Sequence, residues 1–203
     1  MRLGSIETKR HILAVTARLL ETTSSEHLRI VDIADDASVA VPTIYYHFES
    51  RQRLIAEAQA LVFLILSEPL QGLLSRAEAA LVERDGESFW DVIGNHILLG
   101  WTLGQRDDER GVLNVLRDVR SDPTTRREFD QGVKDSFLRL VNLIDEAKVV
   151  GWARPDIDTG ALVVSFWAAS SGQTIVSNLY LKGISPERIR DLFLDIAKCK
   201  GSL

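Results

Sequence analysis

Apolar residues recur at intervals of three and four along most of the chain, which is the spacing of one face of an α-helix. The first such stretch covers residues 6–22, and either Ser5 or Thr8 is a candidate N-cap for it. Its apolar face is made of Ile12, Val15, Leu19 and Leu20. The pattern therefore predicts an amphipathic helix at the beginning of the chain.

Two shorter helices are predicted next. Residues 31–37 form the second, with an inner face made of Val31, Ile33, Ala34 and Ala37. A tight turn then leads to Pro42, which suits the first turn of a third helix because no hydrogen bond needs its missing N–H there. Glu49 and Ser50 end that helix, and Ser50 caps a longer helix that begins near Arg51.

The remainder of the chain is divided by helix-breaking residues into long amphipathic stretches. The breaks are Pro69, Asp85-Gly86, Asp107-Asp108, Pro123, residues 151–155 and Ser185-Pro186. The chain contains no convincing period-2 strand, no internal repeat and no low-complexity segment. The sequence therefore predicts an all-α protein.

On a helical wheel, the third predicted helix has two different sides. Ile44 and Phe48 lie on the apolar side, and Tyr45 lies at its edge. The opposite side carries Pro42, Thr43, Tyr46 and His47. Two short helices joined by a tight turn, the second with a polar outer side, make a helix-turn-helix. Hydroxyl and imidazole groups can donate to DNA phosphates, and proline or a threonine methyl can contact a thymine methyl.

The segment from Ile12 to Ala56 resembles the DNA-binding domain of the tetracycline-repressor (TetR) family of bacterial transcriptional regulators. The matching features are the amphipathic first helix, the I-A-x-x-A core of IVDIADDA, and S-V-x-x-P-T-I-Y-Y-H-F followed closely by Arg51. The resemblance implies an N-terminal three-helix helix-turn-helix DNA-binding domain at residues 1–50. A C-terminal helical domain for ligand binding and dimerisation would then occupy residues 51–203.

The resemblance also implies which residues contact DNA. Thr43 would reach a phosphate or a base edge, Tyr45 and Tyr46 would lie against backbone and bases, and His47 would reach a phosphate. Pro42 would open the recognition helix beside them.

Two arginines complete the implied DNA surface. Arg51 stands where the family usually has lysine at the start of the fourth helix, and would bind a phosphate beside that helix N-terminus. Arg29 precedes the second helix, where polar residues of the family often meet the DNA backbone. Ser38 replaces the glycine that many relatives have in the turn, and Asp35 and Asp36 add negative charge nearby. We therefore expect readout largely through DNA shape and a weak salt dependence.

Composition narrows the range of functions. The net charge of −5 argues against binding nucleic acid by bulk attraction, although residues 1–53 are neutral, with seven Lys/Arg and seven Asp/Glu. A single cysteine, Cys199, excludes an internal disulfide framework and fits a reducing cytosol. No apolar run approaches the roughly 18 residues of a membrane span, so residues 61–66 (LVFLIL) are interpreted as a buried helix segment. The N-terminus lacks the apolar core of a signal peptide, so we expect a cytoplasmic protein without membrane partners.

Catalytic and metal-binding patterns are missing from the sequence. His11, His27 and His96 are scattered, and neither they nor Cys199 have metal-ligand spacing. No nucleophile elbow, zinc-protease, P-loop or dinucleotide-binding motif is present. The sequence therefore predicts no metal, no cofactor and no enzymatic activity.

A candidate ligand site lies in residues 88–104, where aromatic and apolar residues recur at helical spacing among glycines. A glycine inside a helix costs about 1 kcal/mol relative to alanine, so Gly94, Gly100 and Gly104 would make room for a neighbouring helix or a ligand. Asn95 or His96 would fix the ligand by a polar contact. The candidate ligand-binding residues are Phe63, Trp90, Ile93, Asn95, His96, Ile97, Trp101 and Phe137. Plain core packing is the alternative for each of them.

The C-terminal helices 156–181 and 186–199 are predicted to form a homodimer interface, as the equivalent pair does in the family. The function that follows is a dimeric regulator, most simply a repressor that leaves double-stranded operator DNA when a small, largely apolar effector binds. An activator remains open. The alternative from another class is a helical small-molecule-binding or scaffold protein whose DNA binding has decayed.

Overall fold

The computed structural model describes residues 2–104, 112–178 and 185–199, and the chain is helical through nearly all of these ranges. The helices are α1 (Arg2–Leu19), α2 (Ile30–Asp36), α3 (Val41–Phe48), α4 (Arg51–Glu83), α5 (Gly86–Gly104), α6 (Val112–Val119), α7 (Pro123–Val149), α8 (Thr159–Asn178) and α9 (Pro186–Ala197). Within the described ranges the β-type pairing is limited to an isolated bridge between Ala153 and Lys198. The predicted all-α class is confirmed.

The described residues form two compact units. The first comprises residues 2–66 and 112–131, and the second comprises residues 67–104, 132–178 and 185–199. Packing therefore divides the chain inside α4 rather than at its start. The predicted boundary between residues 50 and 51 is a division by function, and it stays a prediction.

The core of the first unit joins α1, α2 and α3 to the beginning of α4. Ile44 and Phe48 are fully buried in it, as the helical wheel predicts. Its other large members are Ile12, Leu20, Leu28, Ile33, Leu54 and Ile55. Val31 was predicted to face inward but is exposed, because Ile30 is the residue that shares a side with Ile33 and Ala34.

Two helix boundaries differ from the predicted ones. The first helix begins at Arg2 rather than near residue 6, and it ends at Leu19. The Thr8 hydroxyl donates to the Gly4 carbonyl oxygen at 2.7 Å within that helix, so Thr8 is not an N-cap. Ser50 does cap α4, because its side-chain oxygen accepts from the backbone N–H of Arg53 at 3.1 Å.

The turn between α2 and α3 has the geometry of a Schellman motif. The backbone N–H of Val39 donates to the Ala34 carbonyl oxygen at 3.0 Å, and that of Ser38 donates to Asp35 at 3.1 Å. Ser38 has a φ of +52°, the left-handed conformation that favours glycine. This conformation explains why many relatives have glycine here, and it sets the angle at which α3 leaves the turn.

The second unit is built around α5, which packs against α8 and α9. A Cβ atom on Gly100 would lie 3.0 Å from Cζ of Phe166, and one on Gly94 would lie 3.2 Å from Cδ of Arg190. These glycines therefore admit side chains of the neighbouring helices, the first of the two explanations that the sequence left open.

The apolar segment in α4 is only partly buried, which corrects its interpretation as a buried helix segment. Val62 is buried, whereas Leu64 and Ile65 are exposed, because consecutive helical residues point in different directions. By length and composition alone, α4 could cross a membrane, a test that core helices of globular proteins also pass. Its first turns contribute Leu54 and Ile55 to the core of the first unit.

Candidate functional site

Five of the predicted DNA-binding residues lie on one outer surface of α3, here called the recognition surface: Pro42, Thr43, Tyr45, Tyr46 and His47. Tyr46 is the most exposed, at 78%, while Tyr45 is 45% exposed and lies at the edge of the apolar side. Thr43 and His47 are half-buried. The Tyr46 and His47 rings meet edge to face, with centroids 5.1 Å apart. The surface thus presents two phenols, a hydroxyl and an imidazole without a fixed positive charge.

Arg51 contacts the protein's own backbone beside this surface. Its Nε and Nη2 atoms donate to the Leu28 carbonyl oxygen at 3.1 Å and 2.9 Å, and Nη2 also donates to the Ser25 carbonyl oxygen. These contacts differ from the phosphate contact that the resemblance implies. They tie the start of α4 to the segment that precedes α2, and so support the position of the recognition surface.

Arg29 is paired with an acidic side chain. Its guanidinium donates to both carboxylate oxygens of Asp32, at 3.0 Å and 2.7 Å. The hydrogen bond from Arg29 holds the pKa of Asp32 below its usual range. Binding of a phosphate by Arg29 would therefore compete with Asp32.

Other cations in the first unit are also paired. Arg18 contacts Asp36 at 3.1 Å, and Arg53 contacts Glu49 at 2.9 Å. Lys9 contacts Glu57 at 2.8 Å and lies 5.1 Å from the centroid of the Phe48 ring. Lys9, Arg18, Arg29 and Arg53 thus each form an ion pair with a carboxylate, which lowers the positive potential around the recognition surface.

A polar network in the first unit reaches α6. The Arg117 guanidinium donates to the Ser25 hydroxyl at 3.0 Å and lies 3.5 Å from the Glu26 carboxylate. The next residue, Asp118, accepts from Nε2 of the buried Gln59 at 3.2 Å. The carbonyl oxygen of Ser25 therefore accepts a hydrogen bond from Arg51, and its hydroxyl oxygen accepts one from Arg117. Sequence reasoning missed this network, because its partners are distant in the chain.

The second unit contains a cavity of about 30 Å³ between α5, α7, α8 and α9. Its lining residues are Ile93, His96, Ile97, Leu140, Ile144, Leu162, Val163, Phe166, Phe193, Leu194 and Ala197. His96 is the one polar residue among them, and it is 6% exposed. Burial lowers its pKa from 6.5 to about 4, so its imidazole is neutral at pH 7.

Three of the eight predicted ligand-binding residues line this cavity: Ile93, His96 and Ile97. Leu140 and Ile144 of α7 line it as well. The rest of the lining comes from α8 and α9, which the sequence suggested only as dimerisation helices. The apolar character of α8 around most of its circumference was the available signal for this second role.

The other five predicted ligand residues lie elsewhere. Trp90 and Trp101 are buried on α5 without lining the cavity, and the Asn95 side chain is exposed. Phe137 is half-buried on α7 outside the cavity, and Phe63 belongs to the first unit. A helical spacing identifies a shared face, but it does not decide which members of that face border an internal space.

The predicted dimerisation helices carry apolar side chains in contact with solvent. Val164 on α8 and Leu192 on α9 are each 54% exposed, and Ile196 on α9 is also exposed. Residues 179–181 of the predicted interface lie outside the described residues. Among the described residues, no group of three His, Cys, Asp or Glu side chains is arranged to hold a metal ion.

Comparison with solved structures gives the same fold. A TetR transcriptional regulator from Chloroflexus aurantiacus superposes with a TM-score of 0.65 at 19% identity, covering 96% of this chain and 94% of that one. Escherichia coli NemR in its reduced form gives a TM-score of 0.64 at 12% identity, with coverage of 94% and 98%. A choline-bound protein from Saccharomonospora viridis gives 0.54 at 23% identity, with coverage of 93% and 94%. At these identities the likeness concerns the fold alone.

The sequence comparison is specific to the DNA-binding domain. No curated protein matches the chain significantly. Residues 12–58 match the family model described as bacterial regulatory proteins, tetR family, a range that spans α2, α3 and the recognition surface. Residues 12–58 are therefore a helix-turn-helix DNA-binding domain of the tetR family of bacterial regulatory proteins, which supports a DNA-binding transcription regulator.

Proposed function

We propose that this protein is a homodimeric, cytoplasmic repressor that leaves a palindromic operator when it binds a small, largely apolar molecule. The observation that carries the proposal is the outer side of α3, where Tyr46 is 78% exposed beside other groups able to contact DNA. A tyrosine ring this exposed takes no part in the core of the first unit, and among the described residues it contacts only the neighbouring His47 ring. Against DNA, its face can pack on sugar or base and its hydroxyl can donate to a phosphate.

Within the proposal, Thr43, Tyr45, Tyr46 and His47 make the direct contacts, and Pro42 lies against a thymine methyl. Arg29 binds a phosphate after it leaves Asp32. Arg51 acts on DNA mainly through the backbone it holds, since its donors already serve Leu28 and Ser25. Few cations are then available for counterion release, so the salt dependence is weak for a DNA-binding protein.

Dimerisation through α8 and α9 accounts for the apolar side chains that these helices expose. Val164 and Leu192 would be buried against a second copy of the chain. A two-fold dimer presents two recognition helices to half-sites roughly 34–36 Å apart, which is about one turn of DNA. The symmetry of the dimer is the reason for expecting a palindromic operator.

The ligand response is proposed as a shift between two populations. The effector binds more tightly to a form of the dimer whose recognition helices do not match the operator spacing, and it weakens DNA binding by that difference in free energy. The helix α4 is the proposed lever, because it contributes residues to both units and continues through Pro69, which was expected to break it.

The DNA-binding part is tested by selecting duplexes from genomic DNA with the wild-type protein. We expect a palindromic site, bound less tightly as salt increases. Tyr46→Ala should lose at least tenfold in affinity while its circular dichroism stays unchanged, and Val149→Ala, an exposed apolar site on α7, should bind like wild type. Failure to select any duplex would favour the alternative, a helical small-molecule-binding or scaffold protein with decayed DNA binding.

The direction of regulation needs a transcription measurement. A reporter under the selected operator should be expressed less when the protein is present, and expression should return when an effector is added. Increased expression would instead identify an activator. Light scattering tests the dimer, and Leu192→Lys should lower the measured mass toward that of one chain because it places a charge in the proposed interface.

A further inference from the structure

His96 is the one polar residue among those that line the cavity in the second unit. The side chain is 94% buried, and its Nδ1 atom has no hydrogen-bond partner among the residues that the structure describes. Buried polar atoms are nearly always hydrogen-bonded, so an unsatisfied one beside a cavity indicates a missing partner. The ten other lining residues are aliphatic or aromatic.

A single water molecule is a poor occupant of this cavity. A buried water typically makes about three hydrogen bonds, and this lining offers it one polar partner. A molecule that is mostly apolar, with one polar group at His96, satisfies both the nitrogen and the surrounding side chains. The missing partner is therefore better supplied by a ligand than by solvent.

The charge of the occupant follows from the lining. No Asp, Glu, Lys or Arg side chain of the described chain is among the lining residues. An ion that entered would lose its hydration without a counter-ion, which is strongly unfavourable. The imidazole itself stays neutral, because burial lowers the pKa of His96 to about 4. The cavity therefore selects against cations and anions alike.

The size of the occupant is limited by the aromatic wall. The cavity volume is about 30 Å³, far below the roughly 150 Å³ that accommodates benzene in a rigid protein. Phe166 and Phe193 line it with their rings edge to face, 5.4 Å between centroids. A ligand of ring size must therefore displace at least one of these rings and take its place.

We propose that this cavity binds a small neutral molecule of about one ring in size, whose single hydroxyl group hydrogen-bonds to Nδ1 of His96. A hydroxyl can both donate and accept, so it fits either tautomer of the imidazole. This inference rests on the proposed ligand response, and it specifies the class of effector.

The test compares four probes on the full-length protein without DNA: phenol, benzene, benzoate and choline. Binding is measured by titration calorimetry and located by the methyl NMR signals of Ile93, Ile97 and Ile144. We expect phenol to bind about tenfold more tightly than benzene, the effect of one buried hydrogen bond and of the group left unsatisfied without it. Benzoate and choline should not bind at this site.

Substitutions at His96 separate its hydrogen bond from its packing. His96→Leu should remove the preference for phenol while benzene still binds, and His96→Gln should restore part of it. Asn95→Ala, at the exposed neighbouring position, should leave all affinities unchanged. If His96→Leu does not fold, the comparison of phenol with benzene on wild type and His96→Gln still decides the question.

Equal affinities for phenol and benzene, binding of the charged probes at these methyl groups, or no binding by any probe would each overturn the inference. The proposed function is tested separately: it is rejected if the protein selects no duplex from genomic DNA. Phenol binding in the cavity without any effect on DNA affinity would retain the inference and reject the proposed ligand response.

Discussion

The guanidinium of Arg51 holds the carbonyl oxygen of Leu28 with two hydrogen bonds, at 3.1 Å and 2.9 Å. The same side chain also donates to the Ser25 carbonyl oxygen. Both acceptors belong to the segment between α1 and α2, so the first residue of α4 fixes the entry to the helix-turn-helix. Arg51 can therefore affect DNA binding without touching DNA, by keeping α2 and α3 in place.

Arg51→Lys tests this positioning role, because lysine keeps the charge and loses the planar fork of donors. We expect the free energy of unfolding to fall by about 1–3 kcal/mol, since at least one carbonyl loses its partner. Urea unfolding of the 203-residue chain measures this loss. Arg120→Lys, at an exposed arginine, should change it by less than about 0.5 kcal/mol. Full stability in Arg51→Lys, combined with weaker DNA binding in Arg51→Met, would return Arg51 to a phosphate-binding role.

The ion pair between Arg29 and Asp32 predicts an unusual gain of affinity. Asp32→Asn frees the guanidinium for a phosphate, so operator binding should strengthen, and its slope against log salt should become steeper by about 0.9. Glu83→Gln changes the net charge by the same amount at the far end of α4, and it should leave the slope unchanged. An identical response in both variants would mean that only bulk charge matters. Fluorescence anisotropy over a salt series gives the measurement.

The division of α3 into two sides could be predicted from the sequence, because a helical repeat of 3.6 residues fixes which side chains share a side. Ile44 and Phe48 are in the core, and Tyr46 is exposed, as that geometry requires. The error at Val31 comes from starting the helix one residue late: Ile30 is the residue that shares a side with Ile33 and Ala34, and successive helical residues differ in direction by about 100°.

The partners of Arg51 and the walls of the cavity could not be predicted in the same way. Arg51 is 26 residues from Ser25, and its acceptors are backbone oxygens that leave no trace in residue types. His96 was identified as a candidate by its place on α5, but its opposite wall includes Phe166 and Phe193. Which apolar side chains border a cavity is decided by packing between helices, not by the pattern within one of them.

The left-handed backbone of Ser38 predicts a stabilising substitution. A residue other than glycine at positive φ is strained by about 1 kcal/mol, so Ser38→Gly should raise the free energy of unfolding by up to that amount. Asp35→Gly, inside α2, should lower it by about 0.3 kcal/mol, because glycine is less favourable within a helix than aspartate. Opposite signs for two glycines three residues apart are the expected result of urea unfolding. A loss of stability at both positions would contradict the geometry of the turn.

The buried imidazole of His96 predicts a loss of stability in mild acid. Its pKa is lowered to about 4 in the folded protein from 6.5, so the unfolded chain binds more protons between these two values. Stability is therefore fully present above pH 6.5 and declines as the pH falls toward 4, by about 3 kcal/mol in total. His96→Leu should flatten the difference between urea unfolding at pH 7 and at about pH 5. If His96→Leu and wild type lose the same stability between pH 7 and about pH 5, the titration of another group causes that loss.

Two glycine-to-alanine substitutions test how closely α5 and α8 pack. Gly72 lies in α4 and, among the described residues, no atom outside its own helix lies within 4 Å of where its Cβ would be. Gly72→Ala should therefore raise the free energy of unfolding by about 1 kcal/mol, the difference in helix propensity. At Gly100 the new methyl would lie 3.0 Å from Cζ of the buried Phe166, so the ring must move.

Because interiors are closely packed, displacing Phe166 costs typically 1–3 kcal/mol, which exceeds the helix-propensity gain of about 1 kcal/mol. Gly100→Ala should consequently lower the free energy of unfolding while Gly72→Ala raises it. Phe166 also lines the cavity, so Gly100→Ala should alter the affinity for phenol, and Gly72→Ala should not. Equal stabilisation by both alanines would show that α5 and α8 are farther apart than the contact between Gly100 and Phe166 requires. The change in the free energy of unfolding caused by Gly94→Ala should lie between those two, since the flexible side chain of Arg190 can move away from the added methyl.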